Sequence, residues 1–306
     1  MLSVKSITLI ILSIFTAEME AAPAASPEHV HHAHKRDTTC SFPNEDNMVG
    51  VYNSKITSNG WAQDGLCTAG SYCQYACKPG YLMGQWNPSV TSYTYPGSQE
   101  GGLYCDSNGQ LSKPFSNKDY CIEGKGTAKG VNNANSDVAF CQTVLPGNEE
   151  MLIPTDISGN GGTNQLAVPG TDYFASTASH FYINAPGVSV EEGCTWGSSS
   201  NPYGNWSPYV AGFNMDDNGN TFAKIGWNPI YVASDSPFQN TKPNFGIKIT
   251  CDDPSKCNGG SCEINPSTHG YNKVQTDDQQ SEANGAAWCV ITGTDNSGVS
   301  IEVFEV

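Results

Sequence analysis

The stretch from Phe181 to Trp196 reads FYINAPGVSVEEGCTW and carries the pattern that decides the fold. Two short runs of β-branched and aromatic residues, Phe181–Ile183 and Val188–Val190, flank a Pro-Gly pair, and Cys194 follows. Runs of this kind, bounded by turn formers, predict β-strands. The stretch therefore predicts short strands that are joined by tight turns, with a cysteine close by.

The same pattern recurs along the chain. Clear strand runs are Gly246–Cys251, Trp288–Ile291 and Ile301–Val306, and in the last of these Glu302 separates apolar neighbours, which predicts one face in water. Asn-Gly and Asp-Gly pairs supply the positive φ angles of tight hairpin turns. Such pairs occur at Asn59-Gly60, Asp64-Gly65, Asn108-Gly109, Asn218-Gly219 and Asn284-Gly285.

The predicted fold class is all-β, a disulfide-rich β-sandwich. Short strands at regular spacing are typical of sandwiches and barrels, and residues 37–306 show no long apolar repeat of helical period. One short helix is predicted near Asp137–Gln142, where cysteine and apolar residues cluster. In cysteine density and acidic balance the chain is similar to thaumatin-like proteins, although none of that family's motifs is intact.

The N-terminal residues predict a secreted and processed protein. Lys5 precedes an apolar run that is too short to span a bilayer, and small residues follow, so residues 1–22 are interpreted as a signal peptide. Residues 23–36 are then a propeptide that ends in the dibasic pair Lys35-Arg36. Its histidines are interpreted as solvated, because short His-rich runs can bind metal but need not. The mature chain is expected outside the cell, beginning at Asp37.

The cysteines predict disulfides. All 12 follow the dibasic pair, and an even number in an oxidising compartment predicts up to six bridges, whose connectivity the sequence leaves open. Zinc is the weaker alternative, because no spacing resembles paired C-x₂-C knuckles and residues 37–306 add only His180 and His269 as imidazole ligands. The cysteines in question are Cys40, Cys67, Cys73, Cys77, Cys105, Cys121, Cys141, Cys194, Cys251, Cys257, Cys262 and Cys289.

The charge of the chain argues against several partners. The net charge is −16, and it stays so without residues 1–36, which hold three of the 14 basic and three of the 30 acidic residues. Nucleic acid and anionic lipid both require a basic face, so neither is expected as a partner. Val306 ends no apolar tail, so no membrane anchor is expected. A neutral polysaccharide, whose hydroxyls pair with carboxylates and amides, suits this composition.

Neither a cofactor nor a metal is expected. The sequence has no phosphate-binding loop and no dinucleotide fingerprint. The spacing of Asn214, Asp216, Asn218 and Asn220 is similar to part of a calcium loop, but Ile225 stands where the bidentate glutamate belongs. An ordinary Asn-Gly hairpin turn accounts for this segment better.

Several ordered segments resemble the fungal SUN family of secreted cell-wall proteins. They are GSYCQYACKPG at 70–80, QW at 85–86, GGLYC at 101–105, CQTVLPGNEEMLIP at 141–154, FYINAPGVSVEEGCTW at 181–196 and GNWSP at 204–208. The resemblance implies a wall-associated protein that binds or hydrolyses β-1,3-glucan in wall morphogenesis, septation and cell separation. The family is often labelled β-glucosidase-like, and it brings no settled catalytic residues to this chain.

The resemblance also suggests a division of the mature chain. Residues 37–66 form an N-terminal segment, and residues 67–306 form the SUN-type domain. Two departures stand out: the segment between Cys77 and Cys105 is longer than the family's, and the long low-complexity region that many members carry before the domain is missing.

Two carboxylate pairs are the catalytic candidates. Glycoside hydrolysis usually needs two carboxyl groups, one of which its surroundings keep protonated. Glu191 and Glu192 follow a predicted strand and precede Cys194, which would hold them at a rigid strand end, with their side chains on opposite faces. Asp216 and Asp217 form the second pair. The alternative is that all four are solvated turn carboxylates of an acidic protein.

The aromatic residues are the second functional signal. Sugar rings stack on aromatic rings, and the candidates for glucan binding are Trp86, Trp196, Trp206 and Tyr209. The alternative is core packing, favoured for Trp196 beside its cysteine, whereas Trp206 lies within the glycosylation sequon at Asn205 and is the better surface candidate. Two hypotheses therefore stand, a β-glucan hydrolase or transglycosylase and a non-catalytic glucan-binding wall protein.

Overall fold

The computed structural model of the protein describes residues 38–52, 59–63, 65–92, 100–143, 153–277 and 281–306. The predicted signal peptide, the propeptide and the dibasic pair Lys35-Arg36 lie outside the described residues, and they stay predictions. The all-β, disulfide-rich class is confirmed. Within the described residues, no helix has the length and apolar character needed to cross a membrane.

The first part of the chain forms three small sheets. They pair β1 with β3, β2 with β5 and β6, and β4 with β7. The side chains between them form a small core around Trp61, Tyr75 and Leu103, which we call the N-terminal core. The strands are β1 (Met48–Val49), β2 (Tyr72–Cys73), β3 (Ala76–Cys77), β4 (Tyr81–Met83), β5 (Leu103–Cys105), β6 (Leu111–Ser112) and β7 (Cys121–Glu123).

The rest of the chain forms a β-sandwich with two short helices. The strands are β8 (Ala128–Asn132), β9 (Val138–Gln142), β10 (Ile153–Ile157), β11 (Gly162–Gln165), β12 (Ser179–Ile183), β13 (Tyr209–Met215), β14 (Thr221–Trp227), β15 (Phe245–Cys251), β16 (Cys257–Asn258), β17 (Cys262–Ile264), β18 (Gln275–Thr276), β19 (Ser281–Ala283), β20 (Ala286–Gly293) and β21 (Val299–Glu305). The helices are α1 (Val190–Gly193) and α2 (Pro229–Val232).

Two sheets face each other across the main core. The larger sheet has the strand order β10-β9-β12-β13-β14-β20-β16, with β19 beside β20, and the smaller sheet has the order β11-β8-β21-β15-β17-β18. Because side chains alternate along a strand, every second residue of the larger sheet points at the smaller one. Phe181, Phe213 and Ile225 from the larger sheet thus share one cluster with Ile247 and Ile301 from the smaller. We call the other side of the larger sheet its outer face.

Two local predictions are wrong. Asp137–Gln142 is not a helix, because β9 takes up Val138–Gln142 and lies between β10 and β12 with every residue buried. Val188–Val190 is not a strand. The backbone turns at Ala185–Val188, and Ser189 then caps α1, since its side chain accepts a hydrogen bond from the N–H of Glu192. At Val138–Gln142, pairing with strands that are distant in sequence outweighs the local pattern. At Val188–Val190, the capping residue Ser189 starts a helix where the local pattern predicts a strand.

The predicted hairpin turns are confirmed at three Asn-Gly pairs. Asn108-Gly109 joins β5 to β6, Asn218-Gly219 joins β13 to β14, and Asn284-Gly285 joins β19 to β20. At Gly219 φ is +78°, a conformation that glycine adopts without a Cβ clash. Asp64 of the pair Asp64-Gly65 lies outside the described residues.

All 12 cysteines are described, and they form six disulfides, as expected. The bridges Cys40–Cys105, Cys67–Cys73 and Cys77–Cys121 lie in the N-terminal core, and Cys141–Cys194, Cys251–Cys257 and Cys262–Cys289 lie in the sandwich. The sulfurs of Cys40, Cys67 and Cys105 lie within 4.8 Å of one another, but all three are bridged, so they are not thiolate ligands.

The two cores meet around Trp86. Its ring packs edge-on against Phe115, Tyr173 and Phe174, and the Tyr173 hydroxyl donates a hydrogen bond of 3.0 Å to the carbonyl of Met83. Cys40–Cys105 ties residues 38–66 to the segment that follows. The two cores also exchange residues across β7, since Leu82 belongs to the main core and Ile153 to the N-terminal core. The division of the mature chain at residue 66 stays a prediction.

Candidate active site

The two predicted carboxylate pairs lie at opposite ends of the larger sheet. Glu191 and Glu192 belong to α1, between the end of β12 and the start of β13, and we call this edge the α1 end. Asp216 and Asp217 follow the last residue of β13. Seven strand residues separate the two ends, which is about 20 Å, whereas a glycosidase pair requires about 5–9.5 Å. The structure therefore does not bring the two pairs into one site.

Asp216 holds its own hairpin turn. Its Oδ1 accepts the backbone N–H groups of Asn218 at 2.9 Å and Asn220 at 2.8 Å, and its Oδ2 accepts the Asn220 amide at 2.8 Å. Partial burial raises the pKa of Asp216, but these hydrogen bonds outweigh it and keep the pKa below its ordinary value. Asp217 accepts a hydrogen bond from the Thr171 hydroxyl. These carboxylates stabilise the connection between β13 and β14.

Helix α1 is fixed to the outer face of the larger sheet. Cys194, which ends the helix, is bridged to Cys141 of β9, and Val190 packs against the cluster that contains Ala139 and Tyr182. The helix contacts both β9 and β10. The glutamates of α1 are therefore held beside the edge of the sheet that β10 forms.

Asn184 joins three parts of this arrangement. Its buried side chain donates a hydrogen bond of 3.2 Å to the carbonyl of Ala139 on β9 and accepts one of 3.0 Å from the N–H of Gly204. A Cβ on Gly193 would lie 2.7 Å from the Asn184 amide, so α1 packs directly on it. One amide thus sets the position of α1 and of the loop that precedes β13.

Replacing Asn184 by alanine is expected to lower the free energy of unfolding by about 1–3 kcal/mol, because the Gly204 N–H would stay buried without an acceptor. Chemical denaturation measures this. The control is Asn133→Ala, which removes an exposed hydrogen bond to Glu302 and should cost less than about 0.5 kcal/mol. Equal costs for the two variants would contradict the proposed role.

Asp156 lies at the α1 end, where the charges of two other carboxylates act on it. Asp156 is paired with Ala139 across β10 and β9, so its side chain lies on the outer face, where α1 packs. Partial burial raises the pKa of Asp156, and the negative charges of Asp137 and then Glu191 raise it further, against one hydrogen bond from the Ile157 backbone. Asp156 therefore keeps its proton to a higher pH than an ordinary aspartic acid does.

Asp137 and Glu191 are held in place by different contacts. Oδ1 of Asp137 accepts the N–H of Gly159 at 3.0 Å, which fixes that side chain at the start of β9. Glu191 lies in the first turn of α1 and projects from a helix that the Cys141–Cys194 bridge holds. Glu192 is also exposed on α1, but it is not among the charges that raise the pKa of Asp156. Of the two glutamates, Glu191 is the one beside Asp156.

Two of the aromatic candidates are core residues. Tyr209 is fully buried between Trp227 and Phe245, and its hydroxyl donates a hydrogen bond of 2.9 Å to the Phe245 carbonyl. Trp86 is buried where the two cores meet. A buried ring cannot stack on a sugar, so the interpretation of both as glucan-binding residues is corrected to core packing.

Of the remaining two tryptophans, Trp206 was expected to be the more exposed, but Trp196 is. Trp196 is 43% exposed at the α1 end, whereas Trp206 is half-buried, with its ring 6.0 Å from that of Phe238. Asn205 of the sequon is half-buried and its Oδ1 accepts the N–H of Gly197 at 2.8 Å. Glycosylation of Asn205 stays a prediction.

A buried lysine lies at the centre of the outer face. Lys224 on β14 has its Nζ 3.8 Å from the ring centre of Trp288 on β20, and it is 2% exposed. Burial lowers the pKa of Lys224 to about 7. His180, two strands away in the same row, has its pKa lowered to about 4 by burial first and by Lys224 second. Because Lys224 is shielded from solvent, it cannot contact a substrate, and we give it no catalytic role.

Sequence reasoning missed Asp137 and Asp156. Asp156 lies in IPTDI, where it alternates with inward-facing residues as a polar residue of any half-wet strand does. What distinguishes it is the pairing of β10 with β9 and the position of α1, and both depend on contacts that are distant in sequence. The one local signal was Cys194, three residues after Glu191, which predicted a rigid strand end where the structure has the end of α1.

Comparison with known proteins identifies the family. The family model described as beta-glucosidase (SUN family) matches residues 35–291. The chain is 57% identical over 98% of its length to the uncharacterized protein YMR244W of Saccharomyces cerevisiae, of which it covers 86%. It is 50% identical over 84% of its length to the probable secreted beta-glucosidase adg3 of Schizosaccharomyces pombe. It is 40% identical over 63% of its length to the probable secreted beta-glucosidase UTH1 of Saccharomyces cerevisiae.

The chain covers 22% of adg3 and 51% of UTH1, so it corresponds to only part of these two relatives. No solved structure matches it. The match to the family model nevertheless spans both cores of the structure, and it includes all 12 cysteines. The resemblance found in the sequence is thereby confirmed, and the chain belongs to the SUN family.

Proposed function

We propose that the protein is a secreted glycoside hydrolase or transglycosylase that acts on β-1,3-glucan of the cell wall, in wall morphogenesis, septation and cell separation. The observation that carries this proposal is the group of carboxylates at the α1 end, where the pKa of Asp156 is raised beside Glu191 and Asp137. A protonated carboxylic acid next to further carboxylates is the combination that glycoside hydrolysis requires. The names of two relatives, probable secreted beta-glucosidases, support the same chemistry.

In this proposal the residues have separate roles. Asp156 protonates the glycosidic oxygen as the bond to the leaving sugar breaks, and Glu191 attacks the anomeric carbon from the other side of the ring to form a glycosyl-enzyme ester. Water, or a hydroxyl of a second glucan chain, then displaces Glu191 and returns its proton to Asp156. Asp137 is a positioning residue, because its charge helps to keep Asp156 protonated. Trp196, exposed at the same end of the sheet, offers a ring on which a sugar can stack.

The six disulfides support a location outside the cell. Disulfides form and persist in oxidising compartments and are rare in the cytosol. Three of them lie in the N-terminal core and three in the sandwich. We therefore propose secretion with removal of residues 1–36, followed by residence at the wall. Mass spectrometry of protein recovered from culture medium and from cell walls tests this, with an N-terminus at Asp37 as the expected result.

The test of activity uses the mature protein with laminari-oligosaccharides. Products are followed by mass spectrometry, and binding to insoluble β-1,3-glucan is measured in parallel. Release of shorter oligosaccharides, or their transfer to longer ones, is the expected result. Binding without turnover would exclude the enzyme and favour a non-catalytic wall protein, and the absence of both would exclude either function.

Replacing Trp196 by alanine is expected to raise KM for laminaritetraose about two- to tenfold, because one stacking contact contributes about 0.5–1.5 kcal/mol. The matched control is Trp206→Ala, whose ring packs on Phe238. That variant should lose stability and keep the KM of the wild type. If Trp206→Ala raised KM and Trp196→Ala did not, the position of the sugar in this proposal would be wrong.

A further inference from the structure

A pair of tyrosines forms a partly exposed surface on the N-terminal part of the chain. Tyr72 on β2 lies directly opposite Tyr104 on β5, and Ser112 on β6 continues the row. The neighbouring residues Cys73 and Leu103 point the other way and are buried in the N-terminal core, whereas both tyrosines are half-buried and lie on the other side of the sheet. Their ring centres are 5.3 Å apart, and the planes are tilted by 53°.

Polar groups border this pair. Nδ2 of Asn87 donates a hydrogen bond of 2.7 Å to Oε2 of Glu100. Burial raises the pKa of Tyr72, and the charge of Glu100 and then Tyr104 add to the effect. Within the part of the chain that the structure describes, neither phenol hydroxyl forms a hydrogen bond. The surface therefore combines two aromatic faces with hydroxyl and carboxylate groups that can pair with a ligand.

We propose that the surface formed by Tyr72, Tyr104, Glu100 and Asn87 binds a neutral β-glucan chain. We call it the tyrosine surface. Aromatic rings stack on the apolar C–H faces of sugar rings, and Glu100 and the phenols supply partners for sugar hydroxyls. The chain carries a net charge of −16 and Glu100 lies at the surface itself, so anionic polymers are disfavoured.

The tyrosine surface is separate from the carboxylates at the α1 end. Ile153, at the start of β10, packs into the N-terminal core, and Asp156 follows three residues later on the same strand. The tyrosines lie on the side of their sheet that faces away from this core. The N-terminal core therefore lies between the tyrosines and the start of β10. A polymer can contact both, whereas a single sugar cannot.

The choice of β-glucan as the ligand rests on the proposed function, but the binding surface itself rests on the tyrosines. The tyrosine surface would keep the protein attached to the polymer while the carboxylates act on another part of the same polymer. Linking two weak sites in this way raises the overall affinity for a polymer without any new contact. The surface therefore predicts a marked preference of the protein for polymeric over short glucans.

The test measures adsorption of the full mature protein to insoluble β-1,3-glucan. Tyr72→Ala combined with Tyr104→Ala is expected to weaken adsorption about four- to hundredfold, as two stacking contacts are lost. Tyr72→Phe with Tyr104→Phe keeps the rings and should lose less than the alanine pair. The control is Tyr52→Ala, which removes a tyrosine that is 67% exposed on the same part of the chain and should adsorb as the wild type does.

Several results would overturn the inference. They are unchanged adsorption of the alanine pair when its thermal melting matches the wild type, an equal loss for Tyr52→Ala, and no adsorption of the wild type at all. A wild type that adsorbed only to chitin or to an anionic polymer would overturn the named ligand. Turnover of laminaritetraose by the wild type reports on the proposed function alone. If turnover were absent and adsorption still depended on the tyrosines, the inference would stand and the enzyme would not.

Discussion

Replacing Asp156 by asparagine is expected to reduce turnover of laminari-oligosaccharides by about 10²–10⁴-fold, the usual contribution of a general acid. Asparagine has nearly the same size and keeps a polar side chain on the outer face of β10, but it has no proton to give to the leaving sugar. Because Asp156 is exposed at the edge of the sheet, the variant should fold and melt like the wild type. Initial rates on laminaritetraose at acidic pH measure the loss.

Neighbouring carboxylates provide the controls. Glu191→Gln should be similarly inactive, whereas Glu192→Gln, one residue further along α1, should keep most of the activity, because Glu192 does not act on Asp156. Asp216→Asn should lower stability through its hairpin turn and leave the rate on folded protein unchanged. A fully active Asp156→Asn variant, or an inactive Glu192→Gln variant, would show that the chemistry takes place elsewhere.

The pH dependence gives a second readout for Asp156. A general acid must be protonated, so kcat/KM should fall as the pH rises through the pKa of Asp156, which lies above the ordinary value for an aspartic acid. Asp137→Asn removes one of the negative charges that raise this pKa. The pKa of Asp156 should then fall, and the decline of kcat/KM should move to lower pH. A shift to higher pH, or no shift, would show that Asp137 does not help to keep Asp156 protonated.

Much of the fold could be predicted from local sequence. The runs at Phe181, Gly246, Trp288 and Ile301 combine β-branched or aromatic residues with flanking turn formers, and each lies within a strand of the structure. The Asn-Gly turns were equally clear, because positive φ is a property of single residues. Prediction failed at Val138–Gln142, where burial between two strands decides the structure and local propensity does not.

The site was harder to predict than the fold, because contacts that are distant in sequence decide its geometry. Glu191 could be found, since a cysteine three residues later marks a rigid segment. Asp156 could not, because its raised pKa depends first on partial burial and then on Asp137 and Glu191, and all three follow from strand pairing and the position of α1. The aromatic residues show a further limit. Tyr209 and Trp196 were both candidates for stacking on a sugar, and the face of the strand or loop decides that one is buried and the other exposed.

Removing the Cys141–Cys194 bridge is expected to lower the free energy of unfolding by about 2–5 kcal/mol and to abolish most of the turnover. The bridge closes a loop with a sequence separation of 53 residues, for which the chain-entropy argument gives about 4 kcal/mol. Both cysteines are buried. Because alanine replaces both of them, no unpaired thiol is left and no side-chain volume is added to the core. Chemical denaturation and initial rates on laminaritetraose measure the two effects.

The matched control separates stability from function. Cys251–Cys257 joins β15 to β16 with a sequence separation of six, for which the same argument gives about 2 kcal/mol, and it lies away from α1. Its alanine pair should lose less stability and keep its activity. The Cys141 and Cys194 variant should instead lose activity even at temperatures where it is fully folded, because α1 then no longer holds Glu191 beside Asp156. If the two variants lost activity only in proportion to the unfolded fraction, α1 would be a stabilising element alone, and Glu191 would have to be placed outside the site.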